Sequence, residues 1–193
     1  MGYKHDITDI IDTGSEVIRK NGYHNVGINQ ILKECDIPKG SFYNFFESKE
    51  DFINKAVEKY AAAAMVRISS FMEDESKTPL KRIEAFYQAN IEGNAQDGAN
   101  GGCLINNLSM EVASANPETA EIIDGWFNKW VDKIAECVKE GQERGEIIDD
   151  KSPREIAEYL HAGFNGTFPS MKVRKSTEFM ENWLQMTLEF IRK

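Results

Sequence analysis

Residues 22–52 read GYHNVGINQILKECDIPKGSFYNFFESKEDF. Ile28, Ile31, Leu32 and Cys35 fall on one stripe of a short helix at 3.6-residue spacing. The turn Asp36-Ile37-Pro38 follows, and a second brief helix runs from about Lys39 or Gly40 to Phe46. Two short helices joined by a tight turn make a helix-turn-helix. On the second helix Lys39, Ser41, Tyr43 and Asn44 take outward positions, while Phe42, Phe45 and Phe46 face inward. That division of polar and apolar groups suits insertion into a major groove, where the Asn44 amide is able to read a base edge.

The flanking sequence extends the helical pattern in both directions. Upstream, Ile7, Ile10, Ile11, Val17 and Ile18 share a face, with Asp6 placed as N-cap and Gly22 just beyond the end. Downstream, Ser48 opens a long helix through Ala61–Ala64, with Asp51 completing a near match to a capping box. Thr78-Pro79, Asn116-Pro117 and Ser152-Pro153 mark three later helix starts, the last strengthened by Glu155. The loop Gly98-Ala99-Asn100-Gly101-Gly102 separates a helix ending near Gln96 from one beginning near Cys103, and Gly141 and Gly145 weaken the end of the helix from Pro117. No run alternates apolar and polar residues as a strand would, so the fold class is all-α. The expected division is a helix-turn-helix domain over residues 1–47 and a helical sensing and dimerisation domain over residues 48–193.

Glycine, apolar, Lys-Gly-Ser, aromatic and Ser-Lys-Glu positions all fall in register between Gly22 and Phe52, and this stretch resembles the DNA-binding region of the TetR/AcrR family. The resemblance implies that Lys39, Tyr43 and Lys49 contact phosphates, that Gly40 lets the backbone approach closely, and that Ser41 lies near the bases or backbone. Such contacts set register more than sequence preference. Gly27 and Asn29, at the start of the first short helix, are counted with Asn44 among the DNA-facing residues. Gly27 stands where family members often carry a capping Ser or Thr. Phe45 stands where many have a polar residue, and Asp36 where a turn glycine is common. Farther on, Gly101 to Ala113 is similar to the start of the sixth helix in a subgroup that includes the N-ethylmaleimide-responsive repressor, where a cysteine at the matching place reacts with electrophiles or oxidants.

A formal charge of -9 argues against charge-driven binding to nucleic acid over the whole surface, so any basic footprint is local. Three widely spaced cysteines, Cys35, Cys103 and Cys137, fit reduced thiols better than a disulfide framework, and with His5, His24 and His161 alone neither a metal site nor a cofactor is expected. No apolar run approaches a membrane span and the opening residues carry no secretory pattern, so the expected location is the cytoplasm.

Cys103, behind two glycines at a helix N-terminus, is the candidate redox sensor, because the helix dipole favours thiolate. The alternative is a small residue packing the first turn. Phe86, Tyr87, Trp126, Trp130, Phe164 and Phe168, with Asn90, Cys103, Asn107 and Met110, form the candidate ligand site, suited to a small aromatic or lipophilic molecule. Each aromatic has a plain core role as the alternative. Apolar stripes on the last two helices nominate Leu160, Phe164, Phe179, Trp183, Leu184 and Phe190 for a four-helix dimer interface, the alternative being closure of the protomer's own core.

The expected function is a ligand-responsive repressor that binds a palindromic operator in double-stranded DNA as a homodimer, with recognition helices roughly 34 Å apart, and is released by an unidentified small-molecule or thiol-reactive inducer. The rival is a helical binding protein or enzyme without specific DNA binding. No nucleophile with a paired base, phosphate loop or His-Glu-x-x-His pair supports it.

Overall fold

The Asp6 carboxylate accepts the Thr8 N–H at 3.0 Å and so starts the first helix; Gly22, at φ 86°, ends it. A computed structural model describes residues 6–193. His5 and the opening residues, on which the expected lack of a secretory segment rests, lie outside the described residues. The helices are α1 (Ile7–Asn21), α2 (Ile28–Glu34), α3 (Lys39–Phe42), α4 (Lys49–Met72), α5 (Pro79–Gln96), α6 (Leu104–Glu111), α7 (Pro117–Glu143), α8 (Pro153–Arg174) and α9 (Glu178–Ile191). Among the described residues there is no strand, only an isolated antiparallel bridge between Ile147 and Arg192, and the all-α expectation holds. No helix of the described residues is long and apolar enough to cross a membrane.

The helix starts read from sequence are made by local hydrogen bonds. Ser48 Oγ accepts the Asp51 N–H at 3.1 Å, while the Asp51 carboxylate reaches the Glu47 N–H at 3.0 Å, one residue earlier than in a capping box. Asn116 caps α7 through the Thr119 N–H, and Ser152 with Glu155 forms a full capping box on α8. Pro79 and Pro153 occupy first-turn positions whose N–H groups have no intrahelical partner.

The chain divides into two compact units, residues 1–62 with 102–125, and residues 63–101 with 126–193. This differs from the expected division after residue 47, because α4 runs without interruption from Lys49 to Met72 and α6 packs on α1. In the first unit Gly14 brings α1 so close to α2 and α4 that a Cβ there would lie 2.6 Å from the Phe52 ring and 2.9 Å from Ile31. In the second unit α9 packs on α8 and α5. Arg82 of α5 is only 3% exposed there, and its guanidinium donates to the Met72, Asp74 and Lys77 carbonyls and to Glu140 at 2.7 Å. A buried cation held by three carbonyls and a carboxylate is a structural tie, since burial without partners costs several kcal/mol.

Candidate nucleic-acid interface and sensing residues

Three rings decide how α3 is held. Phe42, Phe46 and Phe52 are buried, with centroid separations of 4.8 Å for Phe42–Phe46, 5.1 Å for Phe46–Phe52 and 5.9 Å for Phe42–Phe52. Burial of one such ring stabilises by about 1.5–3 kcal/mol, so the cluster fixes which side of α3 faces out. Lys39, Gly40, Tyr43 and Asn44 are exposed, Tyr43 at 48%, and Ser41 is half-buried. Phe45 is half-buried, less inward than its neighbours.

The helix itself is shorter than expected. Regular geometry covers Lys39–Phe42 and gives way to a turn over residues 43–45, with the N–H groups of Phe45 and Phe46 both donating to the Phe42 carbonyl. Phe46 must return to the ring cluster and α4 begins three residues later, which leaves no length for another helical turn.

The preceding turn is a Schellman motif. The Ile37 N–H donates to the Leu32 carbonyl at 3.0 Å, and Asp36 takes φ 51°, the left-handed conformation usually filled by glycine. Gly27 is the N-cap of α2 without a side-chain cap bond, and nothing lies within 4 Å of a Cβ built there, so the Ser or Thr usual in the family would fit. Gly27 and Asn29 are exposed. Lys49 is half-buried: its ammonium donates to the Tyr23 carbonyl and lies 3.7 Å from the Tyr23 ring centroid, and desolvation lowers its pKa.

Cys103 is the N-cap of α6, as its position between the glycines and the apolar run suggests. Its side chain makes no cap hydrogen bond, although the Asn106 and Ile105 backbone, the Tyr60 hydroxyl and the Arg19 charge around it all favour thiolate. Burial nonetheless raises the thiol pKa, so the expected shift toward thiolate is reversed: desolvation outweighs the helix N-terminus. The Cys35 pKa is also raised by burial, and burial pushes Cys137 up to about 11.

The candidate ligand residues separate into two groups. Cys103, Asn107 and Met110 lie on the α6 segment of the first unit. Asn107 is buried and its amide donates to the Arg19 carbonyl at 3.1 Å, whereas Met110, 62% exposed, points to solvent and lines no interior. The second unit gathers Phe86, Tyr87, Phe164 and Phe168 with Trp183; Tyr87 lies 5.0 Å from Phe86 and from Phe164, and 5.1 Å from Trp183. Trp130 is buried near Phe127 and His161. Trp126 is half-buried beneath the Lys129 ammonium, and Asn90 donates to the Phe86 carbonyl of its own helix. The Tyr87 hydroxyl and Trp130 Nε1–H are buried without a hydrogen-bond partner, each at a cost of about 1–3 kcal/mol.

Of the residues nominated for a dimer interface, Leu160 (0% exposed), Phe164 and Leu184 are buried in the protomer's own core. Trp183 is half-buried, its indole seated where a Cβ on Gly163 would lie 2.6 Å away. Phe179 and Phe190 remain exposed, joined by Met186 at 70%.

Sequence reasoning passed over Arg19, Tyr23, Tyr60 and Glu111, which tie α6 to the N-terminal helices. Glu111 alone gave a signal, as the one acid in the run from Leu104 to Ala115.

An exposed, ring-anchored α3 after a tight turn, joined to a larger helical unit, defines a helix-turn-helix regulator. Residues 10–56 match the model of the bacterial regulatory proteins of the tetR family, and residues 79–187 match the tetracyclin repressor-like C-terminal domain. The chain belongs to the TetR family. It is 33% identical over 180 residues to the HTH-type transcriptional repressor DhaR of Mycobacterium sp. strain GP1, covering 93% of this chain and 89% of that one. A regulatory protein TetR from Rhodobacter sphaeroides superposes with a TM-score of 0.91 at 28% identity, over 95% of this chain and 97% of that one. The reduced form of Escherichia coli NemR superposes with a TM-score of 0.88 at 27% identity, over 98% of each chain.

Proposed function

We propose that this TetR-family regulator is a repressor that binds a near-palindromic operator as a homodimer and leaves it when an inducer occupies or modifies the sensing part of the chain. It acts in the cytoplasm, and as a regulator rather than an enzyme. The observation that carries this reading is the outward set Lys39, Gly40, Tyr43 and Asn44, held over a buried aromatic cluster that leaves α3 one orientation. Naming of relatives as transcriptional repressors supports the sign of regulation.

Two donors support a class of inducer. An aromatic or lipophilic molecule bearing a carbonyl-like acceptor would satisfy the Tyr87 hydroxyl or the Trp130 indole while keeping the surroundings apolar. Thiol chemistry at Cys103 is the second route: the residue is half-buried at the start of α6, and the surrounding Asn106 and Ile105 backbone, Tyr60 hydroxyl and Arg19 charge favour thiolate against the desolvation that raises its pKa.

The test uses a duplex selected by the purified protein from a random-sequence pool. Tyr43→Ala weakens mobility-shift affinity for that duplex without lowering the melting temperature, and Cys103→Ser abolishes release by N-ethylmaleimide. Wild-type affinity in the first variant removes the DNA assignment; an unchanged response in the second removes the thiol route and leaves reversible ligand binding.

A further inference from the structure

Tyr23 is where three segments of the first unit meet. Its N–H donates to the Glu111 carboxylate at the end of α6, 2.7 Å away, and the His24 N–H approaches the same oxygen at 3.4 Å. His24 Nε2 lies 3.0 Å from the Glu111 carbonyl. Gly22 makes room for this contact: a Cβ there would stand 3.3 Å from the carboxylate, at a backbone φ of 86°. On its other side Tyr23 is held by the first turn of α4. The Lys49 ammonium donates to its carbonyl and covers its ring, and its hydroxyl donates to Glu50 at 3.0 Å.

We infer that Glu111 is a positioning residue for DNA binding: by fixing the backbone at Tyr23 it sets where the Lys49 ammonium stands, and so ties α6 to a phosphate contact. The inference rests on the operator-binding reading of the first unit. An ammonium has three donors, and the Tyr23 carbonyl directs one of them, leaving the others for a phosphate oxygen. Without the Glu111 carboxylate the Tyr23 and His24 amides turn to water, the Tyr23 carbonyl loses its fixed direction, and Lys49 loses the group that orients it. The far end of α6 begins at Cys103, and Arg19 binds it there through the Gly102 carbonyl at 3.0 Å, so α6 is fastened to the DNA-binding helices along its length.

Salt dependence separates positioning from simple loss of folded protein, because a smaller competent fraction lowers apparent affinity without changing the slope of log affinity against log salt. The probe is the duplex selected by the wild-type protein. Glu111→Ala is expected to weaken binding about tenfold and to reduce the slope by about 1, as expected for one lost phosphate contact. Lys49→Ala gives the same slope, and the double variant is no weaker than Lys49→Ala alone, the non-additivity of groups acting through one contact. Glu111→Gln, which keeps an oxygen to accept the Tyr23 N–H, recovers most of the affinity. A wild-type slope in Glu111→Ala, or losses that add in the double variant, overturns the role of Glu111 while leaving the operator reading intact. A wild-type protein that selects no duplex overturns both.

Discussion

The side-chain amide of Asn107 donates to the main-chain carbonyl of Arg19, joining the middle of α6 to the last turn of α1 across 88 residues of sequence. The Arg19 carbonyl is a helix-terminal acceptor, one of the groups that α1 cannot satisfy internally. Asn107→Ala removes its donor in a buried setting and is expected to cost about 1–3 kcal/mol. A urea midpoint equal to that of the wild type would show that the contact contributes nothing.

Asp36 carries a left-handed backbone without the freedom of glycine. Asp36→Gly is expected to raise stability by up to about 1 kcal/mol, the lower end of the left-handed penalty for L-residues. Asp36→Ala, with a Cβ and no compensating side-chain bond, should move the urea midpoint the other way. The same sign for both substitutions would mean that strain at this turn is not the controlling quantity.

His161 packs edge-on to Phe127 at 4.8 Å, with its Nε2 3.0 Å from the Asn165 amide, and burial pushes its pKa from 6.5 down to about 4. The unfolded chain therefore takes up the proton first. Stability is whole above about pH 6.5 and declines as pH falls toward 4. His161→Gln keeps a polar partner for Asn165 and should shrink the difference between urea midpoints at pH 7 and pH 5. An undiminished difference would assign the pH dependence to other groups.

Phe190 is 61% exposed beside Tyr159, whose ring lies 5.7 Å away, on the same helix as exposed Phe179 and Met186. Contiguous exposed apolar side chains of this kind are candidates for a protein–protein contact. Phe190→Glu is expected to shift the protein from dimer to monomer in sedimentation equilibrium with its helix content unchanged, and a dimer of wild-type stability would exclude α9 as the pairing surface.

Local hydrogen bonds explain why so much was legible from the chain alone. Asp6 to Thr8, Ser48 to Asp51 and Ser152 to Glu155 each span two or three residues, so composition at those positions carries the helix starts directly. The outward face of α3 was legible for the same reason, since Phe42 and Phe46 are one helical turn apart. Longer-range facts were not. Periodicity shows that α8 and α9 have apolar stripes, but not that Leu160, Phe164 and Leu184 are covered by the protomer itself while Phe179 and Phe190 are left outside. A helix N-terminus at Cys103 argues for thiolate, yet the desolvation that reverses the shift depends on which side chains fold over the sulfur, Tyr60 among them.

The first unit is assembled from two stretches of chain, and that has a consequence for taking the protein apart. Residues 1–62 made alone would lack Leu104, Ile105 and Leu108, all fully buried in the complete chain, and would leave the Tyr23 and His24 amides without their carboxylate. Excision of the headpiece is thus expected to weaken it: the DNA-binding helices lack part of their packing until α6 has been made.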